Sequence, residues 1–174
     1  DPDMSPDDSY RRLLQDAVQN LARAEMEITA GKREITHLRR LSVTDEATGI
    51  LNRRGFTLAL EQALERTRRY GETGILIMID LDGFKQVNDN FGHSAGDMVL
   101  AGVALALKRN IRNLDVVARL GGDEFALLLT QVDPSNGRQK AKHLESMLNS
   151  LTIPWGDQMI AVRASFGVET YGVK

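Results

Sequence analysis

The fold is decided by residues 116–130, which read VVARLGGDEFALLLT. Two apolar segments, Val116–Leu120 and Phe125–Thr130, flank the polar residues 121–124. Branched and aliphatic side chains favour strands, and a pair of glycines allows the chain to reverse direction in a tight turn. The stretch therefore predicts a β-hairpin whose tip carries two adjacent carboxylates.

The segments around this hairpin alternate between helical and strand patterns. We expect a helix from the N-cap Asn52 through Tyr70, a strand at Ile75–Ile79, a short helix at Phe84–Asp89, a long helix from Ser94 to Asn110, a helix from the Asp133-Pro134 cap to Leu151, and a last strand at Met159–Val168. From Ile75 onward the order is strand, helix, strand, strand, helix, strand, which is the split β-α-β or ferredoxin-like motif. The predicted fold class is therefore α+β, with helices flanking an antiparallel sheet.

The N-terminal segment has a different pattern from the rest of the chain. Apolar residues recur every seven positions, with a second set three residues later: Leu14, Leu21, Ile28 and Ile35, then Ala17, Ala24, Gly31 and Leu38. This spacing is typical of a coiled coil. We expect a long coiled-coil helix over residues 1–41, followed by a domain over residues 42–174. A single amphipathic helix that lies on its own domain is the alternative.

Composition excludes several classes of protein. The 174 residues contain no cysteine, which excludes disulfides, thiolate metal sites and a cysteine nucleophile. The formal net charge is −2, so the chain lacks the basic surface typical of proteins that bind a nucleic-acid polymer. No apolar run is long enough to cross a bilayer. The three histidines, His37, His93 and His143, do not have zinc-site spacing.

Three acidic side chains are candidates for a metal site. Asp80 follows the first strand, and Asp123 and Glu124 lie at the hairpin tip. In the split motif the first strand is central and pairs with the hairpin, so we expect these carboxylates to converge near the Leu81 carbonyl. Mg²⁺ prefers a few hard oxygen ligands and takes the rest from substrate phosphates and water. In the alternative interpretation, the glycine pair is only a turn and Asp80, with Asp82, is only a polar strand end.

A second polar group comprises Asn88, His93 and Asp97. An amide and a carboxylate together offer the donors and acceptors that a guanine edge requires. Alternatively, Asp97 completes a capping box with Ser94 at a helix start, and His93 packs on that helix. Lys85 is either a phosphate ligand or a solvated side chain.

Arg112 and Asp115 form an Arg-x-x-Asp pattern just before the second strand. The planar guanidinium of an arginine suits a phosphate or a purine edge. A surface ion pair between Arg112 and Asp115 is the alternative.

Several sequence blocks resemble one known family. Arg119–Phe125 resembles the signature of the GGDEF family, the bacterial diguanylate cyclases. Four further blocks are similar to other motifs of this family: Asp45–Arg54, Asp80–Asp89, Gly92–Asp97 and Ser165–Val168. The resemblance covers residues 41–168. Two positions depart from the family, because Ala47 and Ile50 stand where leucine is common. Family members also continue into another helix and strand, whereas this chain ends at Lys174.

The resemblance implies a palm-like or nucleotidyl-cyclase-like fold and a nucleotidyltransferase reaction. Two GTP molecules condense to cyclic di-GMP with release of two pyrophosphates, as each 3′-hydroxyl attacks the α-phosphate of the other GTP. Mg²⁺, with Mn²⁺ as an alternative, is expected at Asp80, the Leu81 carbonyl, Asp123 and Glu124. The implied catalytic residues are Asp123, Glu124 and Lys85, and the implied substrate-binding residues are Asn88, Asp97, Phe84, Gly121, Gly122 and His93.

The resemblance also implies partners and regulation. Each site holds one GTP, so a symmetric product requires two sites face to face in a homodimer, which the coiled coil would bring together. Arg112 and Asp115 are expected to bind cyclic di-GMP at an inhibitory site, and a contribution of His143 or nearby basic residues to inhibition stays open. We expect an upstream sensor domain and a cytoplasmic location, with membrane attachment of the upstream part as an alternative.

Two other functions stay open at this point. One is an inactive GGDEF domain that serves as a receptor for cyclic di-GMP or GTP. The other is a dimerising scaffold, which only the heptad pattern supports.

Overall fold

The computed structural model describes residue 15, residues 17–29, 31–32 and 38, and residues 43–172. The chain divides into two units, residues 1–40 and residues 41–174, which are described separately. In the first unit residues 17–29 are helical, and the side chains of Leu21 and Ile28 are exposed. The predicted heptad positions Leu14 and Ile35 lie outside the described residues.

The second unit contains four helices and six strands in its described part. In chain order these are α1 (Arg53–Tyr70), β1 (Gly74–Leu81), α2 (Phe84–Phe91), α3 (His93–Arg109), β2 (Val116–Gly121), β3 (Glu124–Leu129), α4 (Pro134–Asn149), β4 (Thr152–Trp155), β5 (Gln158–Ala161) and β6 (Ala164–Tyr171).

The main sheet has the strand order β2-β3-β1-β6, and every neighbouring pair is antiparallel. Strand β1 is therefore central, with the β2–β3 hairpin on one side and β6 on the other. This arrangement is the split β-α-β order that the sequence predicts. The α+β fold class is confirmed, and the hairpin formed by residues 116–130 supplies half of the sheet.

The hydrophobic core lies mainly between one face of the sheet and the helices α3 and α4. Every second residue of β1 is buried on this face, as in Ile75, Ile77 and Ile79. The opposite face is covered over β2 and β3 by α1, whose Phe56 and Ala63 are buried there. Beyond that helix, Met78 and Asp80 of β1 are exposed, so this half of the face is accessible.

Two predicted helix starts are confirmed in atomic detail. The Asn52 side chain accepts a hydrogen bond from the Gly55 N–H at 3.0 Å and caps α1. The Asp133 carboxylate accepts from the Ser135 N–H at 2.8 Å, and Pro134 occupies the first turn of α4. Both caps satisfy N–H groups that have no partner within the helix.

The structure differs from three sequence predictions about elements. The expected strand at Met159–Val168 is two strands, because residues 162–163 are not in a strand. The first, β5, pairs with β4, and only the second, β6, joins the main sheet. The long helix α3 begins at His93 with Gly92 at its N-cap, and no side chain caps it. Ser94 is therefore inside the helix and does not form the capping box with Asp97. Helix α4 ends at Asn149, two residues before the predicted Leu151.

Within the described residues, no helix combines the length and apolar character needed to cross a bilayer.

Candidate active site

The predicted carboxylates meet at one end of the β1–β3 pair. Asp80 lies directly opposite Glu124 in the antiparallel register. The next backbone contact ties the same two segments together, since the Leu81 N–H donates to the Asp123 carbonyl at 3.2 Å. Opposed side chains on one face of an antiparallel pair are close neighbours. The sheet therefore brings Asp80, Asp123 and Glu124 to one corner, as the sequence predicted.

Negative charge accumulates at this corner. The pKa of Asp80 is raised above its usual value by loss of solvent and by the nearby carboxylates of Asp123, Asp82 and Glu124. No cationic side chain pairs with Asp80 in the described part of the chain. Asp82 has a partner of another kind, because the Ser165 hydroxyl donates to its two oxygens at 2.9 and 3.1 Å. A cation at this corner would relieve the repulsion at Asp80.

The donor set fits a hard divalent cation that also uses substrate oxygens. Among the described residues, no group of three or more His, Cys, Asp or Glu side chains is arranged to hold a metal by itself. Mg²⁺ is typically bound through one or two carboxylates together with phosphate oxygens and waters. Asp80, Asp123 and Glu124 can supply such a partial shell, so the residues present fit a cation that binds together with a polyphosphate.

The turn at residues 121–124, called the signature turn below, has a backbone that suits its glycines. Gly121 has a φ of 145° and Gly122 a φ of 53°, both outside the range that other residues readily adopt. A Cβ at either position would meet no other atom within 4 Å. The glycines are therefore required for conformation, and they leave open space where a ligand can approach the backbone.

Two arginines that sequence reasoning did not single out hold the signature turn. Arg119 donates through Nε to the Gly122 carbonyl at 2.9 Å and pairs with Asp45 at 3.3 Å. Arg53 donates through Nε to the Leu120 carbonyl at 3.0 Å, and its Nη2 lies 3.4 Å from Glu124 Oε2. Both residues stand inside blocks that resemble family motifs, which was the only signal in the sequence for their position.

Asp45 begins a compact turn over residues 45–51, called the N-terminal turn below. Its backbone is closed by bonds from the Asp45 N–H to the Ile50 carbonyl and from the Gly49 N–H to the Asp45 carbonyl, each 2.8 Å. The turn also lies against β2, because the Arg119 N–H donates to the Leu51 carbonyl at 2.8 Å. Arg119 therefore contacts both the N-terminal turn and the signature turn, and connects the two.

The candidate guanine-binding residues lie on the packed pair α2 and α3. The Asn88 side chain rests on Gly96, where an added Cβ would come within 2.0 Å of the Asn88 Oδ1 and 3.2 Å of Phe84. Asp97 follows Gly96 on α3 and is exposed. Gly96 has no local sequence signal for this contact, and its lack of a side chain leaves room for the Asn88 amide.

Lys85 and His93 are placed at helix starts. Lys85 lies in the first turn of α2, directly after the strand that carries Asp80, and His93 is the first residue of α3. Both side chains are exposed. Neither makes a hydrogen bond or ion pair with another residue in the part of the chain that the structure describes. They are therefore accessible to a ligand at this surface.

The Arg112 and Asp115 pair lines a separate cavity of about 470 Å³. Helix α4 forms its opposite wall, with His143, Lys140 and Gln139. The contact between the pair is not a side-chain ion pair, because Asp115 Oδ2 accepts from the Arg112 backbone N–H at 3.0 Å. The Arg112 guanidinium is thus not held by Asp115.

This cavity and the carboxylate corner lie at opposite ends of the hairpin. Glu124 begins β3, and Thr130, which lines the cavity, directly follows its last residue. At about 3.3 Å per residue, six residues of strand separate the two sites by roughly 20 Å. A ligand in the cavity therefore does not occupy the carboxylate corner.

Comparison with known proteins gives one family. The sequence model described as "Diguanylate cyclase, GGDEF domain" matches residues 42–173. Diguanylate cyclase DgcP of Pseudomonas aeruginosa is 32% identical over 158 residues, which cover 91% of this chain and 24% of that protein. Response regulator PleD of Caulobacter vibrioides is 34% identical over 139 residues, which cover 79% of this chain and 31% of that protein. The chain thus spans less than a third of the length of these relatives.

Two solved structures have the same fold over most of the chain. The coiled coil and GGDEF domain of DgcB from Caulobacter crescentus, in complex with c-di-GMP, has a TM-score of 0.79 and 26% identity, and the match covers 88% of this chain and 82% of that one. Diguanylate cyclase SiaD from Pseudomonas aeruginosa, in complex with its activator SiaC, has a TM-score of 0.73 and 32% identity. The match covers 95% of this chain and 64% of that one.

Proposed function

We propose that this chain, which belongs to the GGDEF domain family of diguanylate cyclases, condenses two GTP molecules into cyclic di-GMP and releases two pyrophosphates. The observation that carries the proposal is the pairing of Asp80 with Glu124, next to Asp123, at a corner where Asp80 has no cationic partner among the described side chains. This corner suits a polyphosphate bound together with divalent cations, and a neutral ligand would leave the repulsion in place.

The reaction would depend on Mg²⁺, with Mn²⁺ as a substitute. Asp80, the Leu81 carbonyl and Asp123 would hold the cation, with Glu124 as a further ligand or as an aid to hydroxyl activation. When bound, such a cation neutralises phosphate charge and polarises the phosphoryl oxygens. The protein's own contribution is to fix these oxygens through the β1–β3 pairing, so that little rearrangement is needed when the nucleotide arrives.

The nucleotide would extend from the carboxylate corner over α2 and α3. Asn88 and Asp97 would bind the guanine edge, while Phe84, Lys85, His93 and the two glycines of the signature turn would line the rest of the ligand. Lys85 lies only a few residues after the strand that carries Asp80, which favours a phosphate contact. The open space at Gly121 and Gly122 allows the backbone to approach the phosphates.

A homodimer would complete the reaction, because each corner binds one GTP and the product has two-fold symmetry. The exposed Leu21 and Ile28 stand at the predicted seam of the N-terminal helix, where a second copy would cover them. In this arrangement the helix would link an upstream sensor domain to the catalytic unit. The protein would act in the cytoplasm, where its substrate GTP is available.

Cyclic di-GMP would inhibit the enzyme at the Arg112 cavity. The cavity presents a guanidinium that Asp115 does not hold, together with polar groups from α4, which suits a ligand with phosphates and purine edges. Because the cavity lies at the far end of β3, inhibition would be allosteric and would not be direct competition with GTP. The relative DgcB has been solved in complex with c-di-GMP.

The cavity also favours a second function. It is formed by residues that do not belong to the carboxylate corner, so a domain without turnover could still bind cyclic di-GMP as a receptor. The presence of all five candidate carboxylate and amide residues at the corner and on α2–α3 favours the cyclase: Asp80, Asp123, Glu124, Asn88 and Asp97.

Incubation of the chain with GTP and Mg²⁺ separates these functions. We expect cyclic di-GMP and pyrophosphate in a ratio of one to two. Tight binding of cyclic di-GMP without pyrophosphate release would identify a receptor. Absence of both binding and turnover would leave only a dimerising scaffold.

A further inference from the structure

Thr130 is the one buried polar side chain among the described residues, at 7% exposure. It follows β3 and lines the Arg112 cavity. Its hydroxyl donates to the Leu114 carbonyl at 3.0 Å, and its backbone N–H donates to Asp115 Oδ1 at 3.1 Å. Burial of a hydroxyl without a hydrogen bond costs free energy, so the bond to the Leu114 carbonyl offsets the cost of burying Thr130.

The same bonds help to fix residues 112–115, the loop that carries Arg112. Asp115 Oδ1 accepts from Thr130 and Asp115 Oδ2 from the Arg112 N–H. The loop is closed by the Asp115 N–H, which donates to the Arg112 carbonyl at 3.0 Å. Both oxygens of Asp115 are therefore engaged by backbone groups, and Thr130 attaches the loop to the end of the sheet.

The Arg112 guanidinium itself is exposed and makes no ion pair with any described residue. Its position relative to α4 is thus set only by the backbone of its loop. A flexible arginine loses conformational entropy when it binds a ligand, and a fixed loop reduces that cost.

We propose that Thr130 is a positioning residue for Arg112 in the product-binding cavity, acting through Leu114 and Asp115. This inference rests on the inhibitory site in the proposed function. In it, Asp115 shapes the loop, and Arg112 contacts the ligand. Loss of the Thr130 hydroxyl would leave the Leu114 carbonyl without this partner, so that only the bond from the Thr130 N–H to Asp115 would still attach the loop to the end of β3.

Three variants of the 174-residue chain test the proposal. Thr130→Val removes the hydroxyl at nearly constant shape, and Thr130→Ser keeps it. Thr67→Val is the matched control, because the Thr67 hydroxyl also donates to a backbone carbonyl, that of Glu72 at 2.8 Å, but does not line the cavity. Affinity for cyclic di-GMP is measured by calorimetry, and turnover of GTP is measured separately with product removed continuously.

We expect Thr130→Val to bind cyclic di-GMP about tenfold more weakly, as for loss of one buried hydrogen bond. Thr130→Ser and Thr67→Val should bind like the unmodified chain, and all three should keep its turnover number. Unchanged affinity in Thr130→Val, or an equal loss in Thr67→Val, would overturn the proposal. A chain that makes cyclic di-GMP but does not bind it in the calorimeter would overturn the proposal and leave the cyclase assignment intact.

Discussion

Arg119 joins Asp45 to the backbone of the signature turn. Its Nη1 lies 3.3 Å from both carboxylate oxygens of Asp45, while its Nε donates to the Gly122 carbonyl at 2.9 Å. Both side chains of the pair are largely buried, at 15% and 21% exposure. An ion pair in such a setting holds its geometry better than an exposed one. The N-terminal turn thus helps to fix the residues that flank Asp123.

Replacement of Asp45 should therefore impair catalysis without unfolding the domain. In Asp45→Asn the charge that orients Arg119 is lost, and we expect roughly a tenfold fall in kcat, the effect of losing one charge-assisted hydrogen bond. Glu46→Gln is the matched control, since Glu46 is the exposed neighbour. If Asp45→Asn and Glu46→Gln turn over GTP equally fast, Arg119 does not need Asp45.

Asp80→Asn should separate activity from stability. The pKa of Asp80 is raised in the folded chain. Above that pKa the charged carboxylate therefore destabilises the folded state, and this destabilisation disappears as the pH falls to the ordinary pKa of an aspartate. Without metal at neutral pH, we expect Asp80→Asn to raise Tm by about 1–2 °C, the size of a favourable surface substitution.

The same variant should lose turnover, because a neutral amide is a poor ligand for Mg²⁺. Thermal unfolding in chelator, at pH 7 and again near pH 4, measures the stability difference, which should shrink at the lower pH. A variant that is less stable than the unmodified chain at pH 7 would contradict the charge repulsion at this corner.

Gly96→Ala should weaken binding of the guanine base. The new Cβ would lie 2.0 Å from the Asn88 Oδ1, so the amide must move away from its place over Gly96. We expect KM for GTP to rise about tenfold with a smaller change in kcat, because a displaced binding group costs mainly ground-state affinity.

Gly102→Ala on the same helix is the control for this variant. Its Cβ would meet Ile153 in the core at 2.4 Å, far from Asn88. We expect lower Tm and unchanged KM from this substitution. An equal rise of KM in both variants would mean that Gly96 acts only through the stability of α3.

Substitutions in the predicted coiled-coil seam should weaken the dimer. In Leu21→Glu with Ile28→Glu, two exposed heptad positions become charged, and we expect light scattering to report a monomer at concentrations where the unmodified chain is dimeric. Turnover should then depend on protein concentration. Met26→Glu is the control, because Met26 is also exposed but lies off the seam. Loss of dimers in the control alone would place the contact elsewhere.

Much of the fold follows from local patterns in the sequence. The hairpin of residues 116–130, the buried strand β1 and the capped starts at Asn52 and Asp133 all have short-range signals, and the structure confirms each of them. The topology followed from element order alone. Convergence of Asp80 with Glu124 was predictable for the same reason, since pairing of the central strand with the hairpin sets their register.

One error comes from a local turn that was not recognised, and the other omissions arise where long-range contacts decide the structure. A single strand was predicted at Met159–Val168, but the first part of this segment, β5, pairs with β4. That pairing depends on a turn at Gly156, which was not predicted. The side-chain contacts of Arg119 and Arg53 join residues far apart in sequence, and no local pattern marks them. Likewise, nothing in the sequence around Gly96 indicates that the Asn88 side chain packs against it.

In the proposed function, carboxylates from β1 and from the signature turn act together on GTP. The most direct measurement is the rate of pyrophosphate release from GTP and Mg²⁺ by Asp123→Asn, compared with Asp89→Asn as a control of equal charge change on the exposed surface of α2. We expect release by Asp123→Asn to fall to background while Asp89→Asn remains active. Undiminished release by Asp123→Asn would contradict the proposed function.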